Sequence, residues 1–169
     1  MSVKCFGLFW RRDEIDWNPG GGAKGGFRLL GHRYENKPVL RVADFCDQLG
    51  IYILYGNTGP YYVGLTKTGK LGGRLKNHTE DEHKEKWVQF SWFGFRRVLT
   101  GKDVNGLRNL GSMAEVELGN PVSDITDLEA LLIRAMGLHN KNQPKFKSAE
   151  EWKQVKRDDV KDFMDKISN

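Results

Sequence analysis

Six side chains in this sequence are of types that could do chemistry together: Tyr52, Tyr62, Arg74, His78, Glu129 and Asn140. A phenol can take a proton from water if its pKa is drawn down from about 10. A guanidinium is a fork-shaped donor that matches phosphoryl oxygens. An imidazole can relay a proton, and a carboxylate is the oxygen donor that hard cations take. Taken singly, each residue also has a plain structural role. Strand tyrosines pack, a helical Arg/His pair is solvated, and a glutamate in a first helical turn complements the helix dipole.

The elements that must position these residues follow from pattern. GIYILY (50–55) and YYVGLT (61–66) are β-branched and aromatic, and GNTGP (56–60) separates them, which predicts a β-hairpin carrying Tyr52 and Tyr62. In the stretch 70–87, Leu71, Leu75 and His78 follow helical spacing, so Arg74 and His78 share a face. Gly72 and Gly73 mark the start of that helix. VQFSWFGFRRVL (88–99) reads as a third strand, and of its aromatics Phe90, Trp92, Phe93 and Phe95 at least half are expected to pack in the core, with stacking on an unpaired base as the alternative. Residues 100–122 read as an irregular insertion. SDITDLEALLIRAMG (123–137) is a helix capped by Ser123 or Asp124, with Glu129 near its start and Asn140 and Asn142 just beyond it. A last helix is predicted over 148–167, with Ser148 and Glu151 as a capping box and Trp152, Val155, Phe163, Met164 and Ile167 on its buried side. Before the hairpin, CFGLFW (5–10) and FRLLGHRY (27–34) are expected to pair as strands across the glycine-rich loop 18–26. That loop lacks the spacing of a phosphate-binding loop.

The length of 169 residues suits one domain with a small extension. Mean hydropathy is −0.59, and no apolar run nears the roughly 20 residues of a membrane span, so a soluble, cytoplasmic protein without a secretory leader is expected. Cys5 and Cys46 make no disulfide framework, and His78 and His83 with Cys46 lack the spacing of a structural zinc site. The net charge of +5 is concentrated: residues 64–108 hold ten Lys/Arg against five Asp/Glu, while the remainder balances at 17 against 17. A basic stretch suggests a polyanionic partner. Lys67, Lys70, Arg74 and Lys76, with Arg96 and Arg97 after the third strand, are the candidate phosphate contacts.

GIY at 50–52 and YVG at 62–64, with nine residues between them, resemble the GIY-YIG nuclease domain. LGGRLKNH (71–78) is similar to that family's L-x-x-R-x-x-x-H stretch, and DLEALLI (127–133) to its metal-binding glutamate. The resemblance spans about residues 49–146 and departs from the pattern twice. The gap from Gly64 to Arg74 is long, and Lys147 stands where an asparagine is common, which moves that role to Asn140 or Asn142, with Asn140 preferred. The resemblance implies an α/β fold, with a small, three-stranded, mainly antiparallel sheet flanked by helices. Residues 1–48 would form a β-rich extension, 49–147 the nuclease core, and 148–169 a C-terminal packing helix. It implies a metal-dependent endonuclease acting on double-stranded DNA, in restriction, defence or repair. Tyr52 would be the base and Tyr62 the positioning residue, or the reverse. Arg74 would stabilise the transition state, His78 would orient a tyrosine or relay a proton, and Glu129 would hold one Mg²⁺ or Mn²⁺ per site. Cutting both strands would need a homodimer or two sequential nicks. The alternatives are a non-catalytic nucleic-acid-binding module of the same fold, and an RNA-directed or toxin-like nuclease.

Overall fold

The computed structural model describes residues 3–20, 26–34, 39–66, 70–112, 127, 130–135, 146 and 149–168. Strand β4 (Gly50–Gly56) is buried along nearly its whole length. It pairs antiparallel with β5 (Gly59–Thr66) on one side and β6 (Gln89–Gly94) on the other. A strand covered on both faces reads as a continuous apolar run, as GIYILY does. The hairpin is as expected but tighter: Gly56 pairs with Gly59, so Asn57 and Thr58 alone make the turn.

The expected three-stranded sheet is larger than its resemblance implied. It has five strands in the order β5-β4-β6-β1-β9, where β1 is Cys5–Arg11 and β9 is Glu150–Glu151. A second five-stranded sheet stands against it in the order β10-β2-β3-β8-β7. Its strands are β2 (Leu30–Tyr34), β3 (Leu40–Asp44), β7 (Val98–Lys102), β8 (Arg108–Leu110) and β10 (Lys153–Gln154). Among the described residues there are three helices: α1 (Leu71–Asn77), α2 at residues 130–135 and α3 (Val160–Ser168). The fold is therefore mixed α/β but rich in sheet.

Three sequence expectations are corrected here. The segment CFGLFW pairs with β6 in the first sheet, whereas β2 pairs with β3 in the second, so these two stretches do not form a hairpin. The supposed insertion contributes β8 and much of β7. The C-terminal helix covers only Val160–Ser168; before it, residues 150–154 are extended. Trp152 N–H donates to the Phe6 carbonyl, and Val155 N–H to that of Leu30. One short segment thus joins β1 of the first sheet and then β2 of the second. Trp152 and Val155 are buried as the helical reading required, but by bridging two sheets. Their three-residue spacing fits a helix face and this bent extended path equally well.

Between the sheets lies an aromatic core that includes Trp10, Phe45, Tyr52, Trp92 and Trp152, closed at one end by Leu71 and Leu75 of α1. The opposite face of the first sheet, with Ile53, Tyr55 and Phe93, is covered by Ala130, Leu131 and Ala135 of α2. The outer face of the second sheet, with Leu30 and Val42, is covered by α3 through Ile167. Phe90, Trp92, Phe93 and Phe95 are all buried, which removes them as base-stacking surfaces. No helix among the described residues is long and apolar enough to cross a membrane.

Candidate active site

The site grows out of the hairpin register. Tyr52 pairs with Gly64, and Leu54 pairs with Tyr62. Alternation then sends Tyr52 and Tyr62 to one face as diagonal neighbours, with ring centroids 6.2 Å apart. Gly64 lies beneath the Tyr52 ring, where a Cβ would come within 2.1 Å of Cζ. Gly50 is equally constrained, since a Cβ there would meet the Phe93 carbonyl oxygen at 2.0 Å. Two of the motif's glycines are thus positions where a side chain has no room.

Helix α1 crosses the same face. Leu71 and Leu75 are buried against the core, which brings His78, at the helix C-terminus, down onto the tyrosines. The chain then turns away from the helical path. The Trp87 indole N–H caps the His78 carbonyl, and Thr79 Oγ1 donates to that of Lys76. A helix to residue 87 is therefore not formed, because residues 79–86 offer no apolar face to bury.

The Tyr52 hydroxyl lies 2.9 Å from Nε2 of His78, and His78 Nδ1 lies 2.8 Å from Oδ2 of Asp81. A carboxylate can only accept, so Nδ1 carries the proton. In the neutral ring Nε2 is then the acceptor, and Tyr52 donates to it. Asp81 is itself held by the His83 backbone N–H, which donates to Oδ1 at 2.8 Å. Arg74 is solvent-exposed and near enough for its charge to act on the Tyr52 hydroxyl. Burial pushes the Tyr52 phenol above its ordinary value and the neighbouring Tyr62 adds to this, while Arg74 pulls the other way. Of the groups that bear on this hydroxyl, burial outweighs the guanidinium.

Four of the sequence-predicted residues, Tyr52, Tyr62, Arg74 and His78, are thus brought together. Lys70 is exposed at the N-terminus of α1, one turn before Arg74. Lys76 is directed elsewhere: its ammonium donates to the Trp17 carbonyl and to Asn18 Oδ1, tying α1 to the N-terminal segment. Arg96 bonds the carbonyls of Asp47 and Gly111, and the Arg97 carbonyl accepts from Gly111 N–H, so this pair helps join loops. Glu129, Asn140, Asn142 and Lys67 lie outside the described residues.

Comparison with protein-family models, with curated proteins and with solved structures found no match.

Tyr61 and Asp81, which pattern reading passed over, and His83, which it set aside as a zinc donor for its spacing, also belong to the site. A bulge in β5, where the register slips between Leu54 and Tyr55, leaves Tyr61 as an extra residue. Successive strand residues normally point to opposite faces, and a bulge re-aims one of them. Here the Tyr61 hydroxyl reaches Nδ1 of His83 at 2.9 Å, while the Tyr62 ring lies 4.9 Å from the same imidazole. The one available signal was the spacing of His78, Asp81 and His83 around a turn rich in charge. As metal donors these three supply two imidazoles and one carboxylate, a set that does not suit Mg²⁺, which prefers oxygen throughout.

Proposed function

We propose that this chain is a divalent-metal-dependent endonuclease of the GIY-YIG type that hydrolyses phosphodiester bonds in DNA. One observation carries the reading: a buried tyrosine whose hydroxyl is bonded at 2.9 Å to a histidine, with an exposed arginine beside it. Burial holds Tyr52 in its protonated form, so a standing phenolate is not the base. Instead, Tyr52 passes its own proton to His78 Nε2 as its oxygen takes the proton of the attacking water. Asp81 keeps His78 in the tautomer that can accept. The water oxygen bonds to phosphorus, and the bond from phosphorus to the 3′ oxygen breaks, with the electron pair leaving on that oxygen. Arg74, a forked cation open to solvent, stabilises the charge gathering on the phosphoryl oxygens. Tyr62 stands beside Tyr52 and orients the water or a phosphate oxygen. The metal requirement is assigned to Glu129, with Mg²⁺ or Mn²⁺ as its ion, and Asn140 completes the proposed set. Lys70 supplies a further phosphate contact. Double-strand cleavage would use a homodimer or two nicks in sequence.

The test is plasmid DNA incubated with the protein and Mg²⁺ or Mn²⁺, then with EDTA. Nicking that disappears with EDTA, and in Arg74→Ala, Tyr52→Phe and Glu129→Ala, is the expected result. A gel shift with no cleavage in either metal would overturn the enzymatic reading and leave a binding module. Cleavage of structured RNA but not plasmid would overturn the choice of DNA.

A further inference from the structure

We propose that His78, Asp81 and His83 form a binding site for a borderline transition-metal cation of the Zn²⁺ class. Its donors do not include Glu129, and the binding site does not depend on the nuclease reading. One donor atom from each of the three residues lies within 4.8 Å of the others. Two imidazoles and a carboxylate form a donor set that selects Zn²⁺, Co²⁺ or Ni²⁺ over Mg²⁺ or Ca²⁺. With three protein ligands, a fourth position remains for water, as in open zinc sites.

The three donors are already oriented by partners outside the set or by one another. The His83 ring is turned by the Tyr61 hydroxyl at its Nδ1. Asp81 Oδ1 receives the His83 backbone N–H, which leaves Oδ2 directed at His78. His78 is wedged against Tyr52 and Tyr62, with centroids 5.8 and 5.1 Å away. Such partners fix ring orientation in metal sites and are worth about 10- to 100-fold in affinity. Donors on a tetrahedral zinc with bonds of about 2.0–2.2 Å lie roughly 3.3 Å apart. Oδ2 of Asp81 and Nδ1 of His78 are already 2.8 Å apart, so closure falls to His83, on the exposed turn.

Loading the site would change what His78 does. A cation on Nδ1 takes the place of the proton now shared with Asp81. The ring proton then sits on Nε2, and the bond to Tyr52 reverses, with His78 as donor. Metal occupancy and acceptance of the Tyr52 proton are mutually exclusive; this consequence, unlike the binding site itself, rests on the nuclease reading, under which the cation would act as an inhibitor.

The test is calorimetric titration of the full chain with Zn²⁺, and with Co²⁺ read by visible absorption, in the absence of DNA. Wild type is expected to bind one ion at micromolar or lower concentration, and Asp81→Asn and His83→Gln each to bind at least about tenfold more weakly. Circular dichroism checks that both variants fold. A measurement on wild type alone guards against variants that do not: ring-nitrogen NMR shifts of His78 and His83, but not His32, should move on adding Zn²⁺. No binding at micromolar Zn²⁺, equal binding by the folded variants, or unmoved His78 and His83 nitrogens would each overturn the site. Since no step reads cleavage, a chain that fails to cut DNA can still pass.

Discussion

Gly64 lies directly under the ring of Tyr52, so close that a Cβ would sit 2.1 Å from Cζ and 2.2 Å from the hydroxyl oxygen. The second triplet of the hairpin therefore ends in glycine for a packing reason, independent of catalysis. Gly64→Ala should push the Tyr52 ring off His78 and destabilise the fold by about 1–3 kcal/mol, the usual range for an overpacked core. Urea unfolding measures the loss. An unchanged midpoint would show that the ring does not need this floor.

Tyr52→Phe keeps the ring and removes the hydroxyl. It should lower plasmid nicking by on the order of 100- to 10,000-fold, the range for a lost proton-transfer group. It should cost about 1 kcal/mol of stability, because His78 Nε2 loses its partner. A nicking rate close to wild type would remove Tyr52 from the proton path.

Arg74 is exposed, so Arg74→Ala should leave the urea midpoint nearly unchanged while abolishing cleavage. It should also raise the Tyr52 pKa further, since Arg74 opposes the upward push of burial. Tyrosine-labelled NMR across alkaline pH reads that shift directly. The sign for stability is fixed by the same direction. The folded phenol holds its proton above the unfolded value of about 10, so this contribution is complete below about pH 10 and is lost as pH rises through the folded value.

Asp44 accepts the backbone N–H groups of Leu29 and Cys46 on one oxygen, and burial raises its carboxyl above the usual range. Asp44→Ala leaves two donors unpaired and should cost about 1–3 kcal/mol. Asp44→Asn keeps an acceptor and removes a buried charge, so at about pH 7 it should match or exceed wild type. With a raised folded value, the favourable contribution of Asp44 is full below the unfolded pKa of about 4 and fades as pH rises through the folded one. Between about pH 5 and about pH 8 the wild-type urea midpoint should therefore fall relative to that of the Asn variant.

The hairpin was legible because its signals are local. Turn residues flank two apolar runs, and a period of two assigns Tyr52 and Tyr62 their faces. Helix α1 was legible over Leu71–Asn77, where leucine spacing matches the helical period, and not beyond, where the charges of 79–86 fit a helix or a turn alike. The second sheet was not legible. Its β10 is two residues long, and Trp152 and Val155 keep helical spacing while their N–H groups bond carbonyls of Phe6 and Leu30. No local pattern reports a partner almost 150 residues away.

The candidate site divides along the same line. Sequence alone was enough to choose Tyr52, Tyr62, Arg74 and His78 and to predict their elements, because residue type and period act over a few positions. Tertiary structure decided which charges are engaged elsewhere, as Lys76 and Arg96 are. It decided that burial outweighs Arg74 at the Tyr52 hydroxyl. It also brought Asp81 and His83 to the tyrosines, through one bulge in β5 and one turn after α1. Hydrogen-bond geometry and desolvation depend on distances between segments far apart in the chain, and those distances exist only once the sheets have packed.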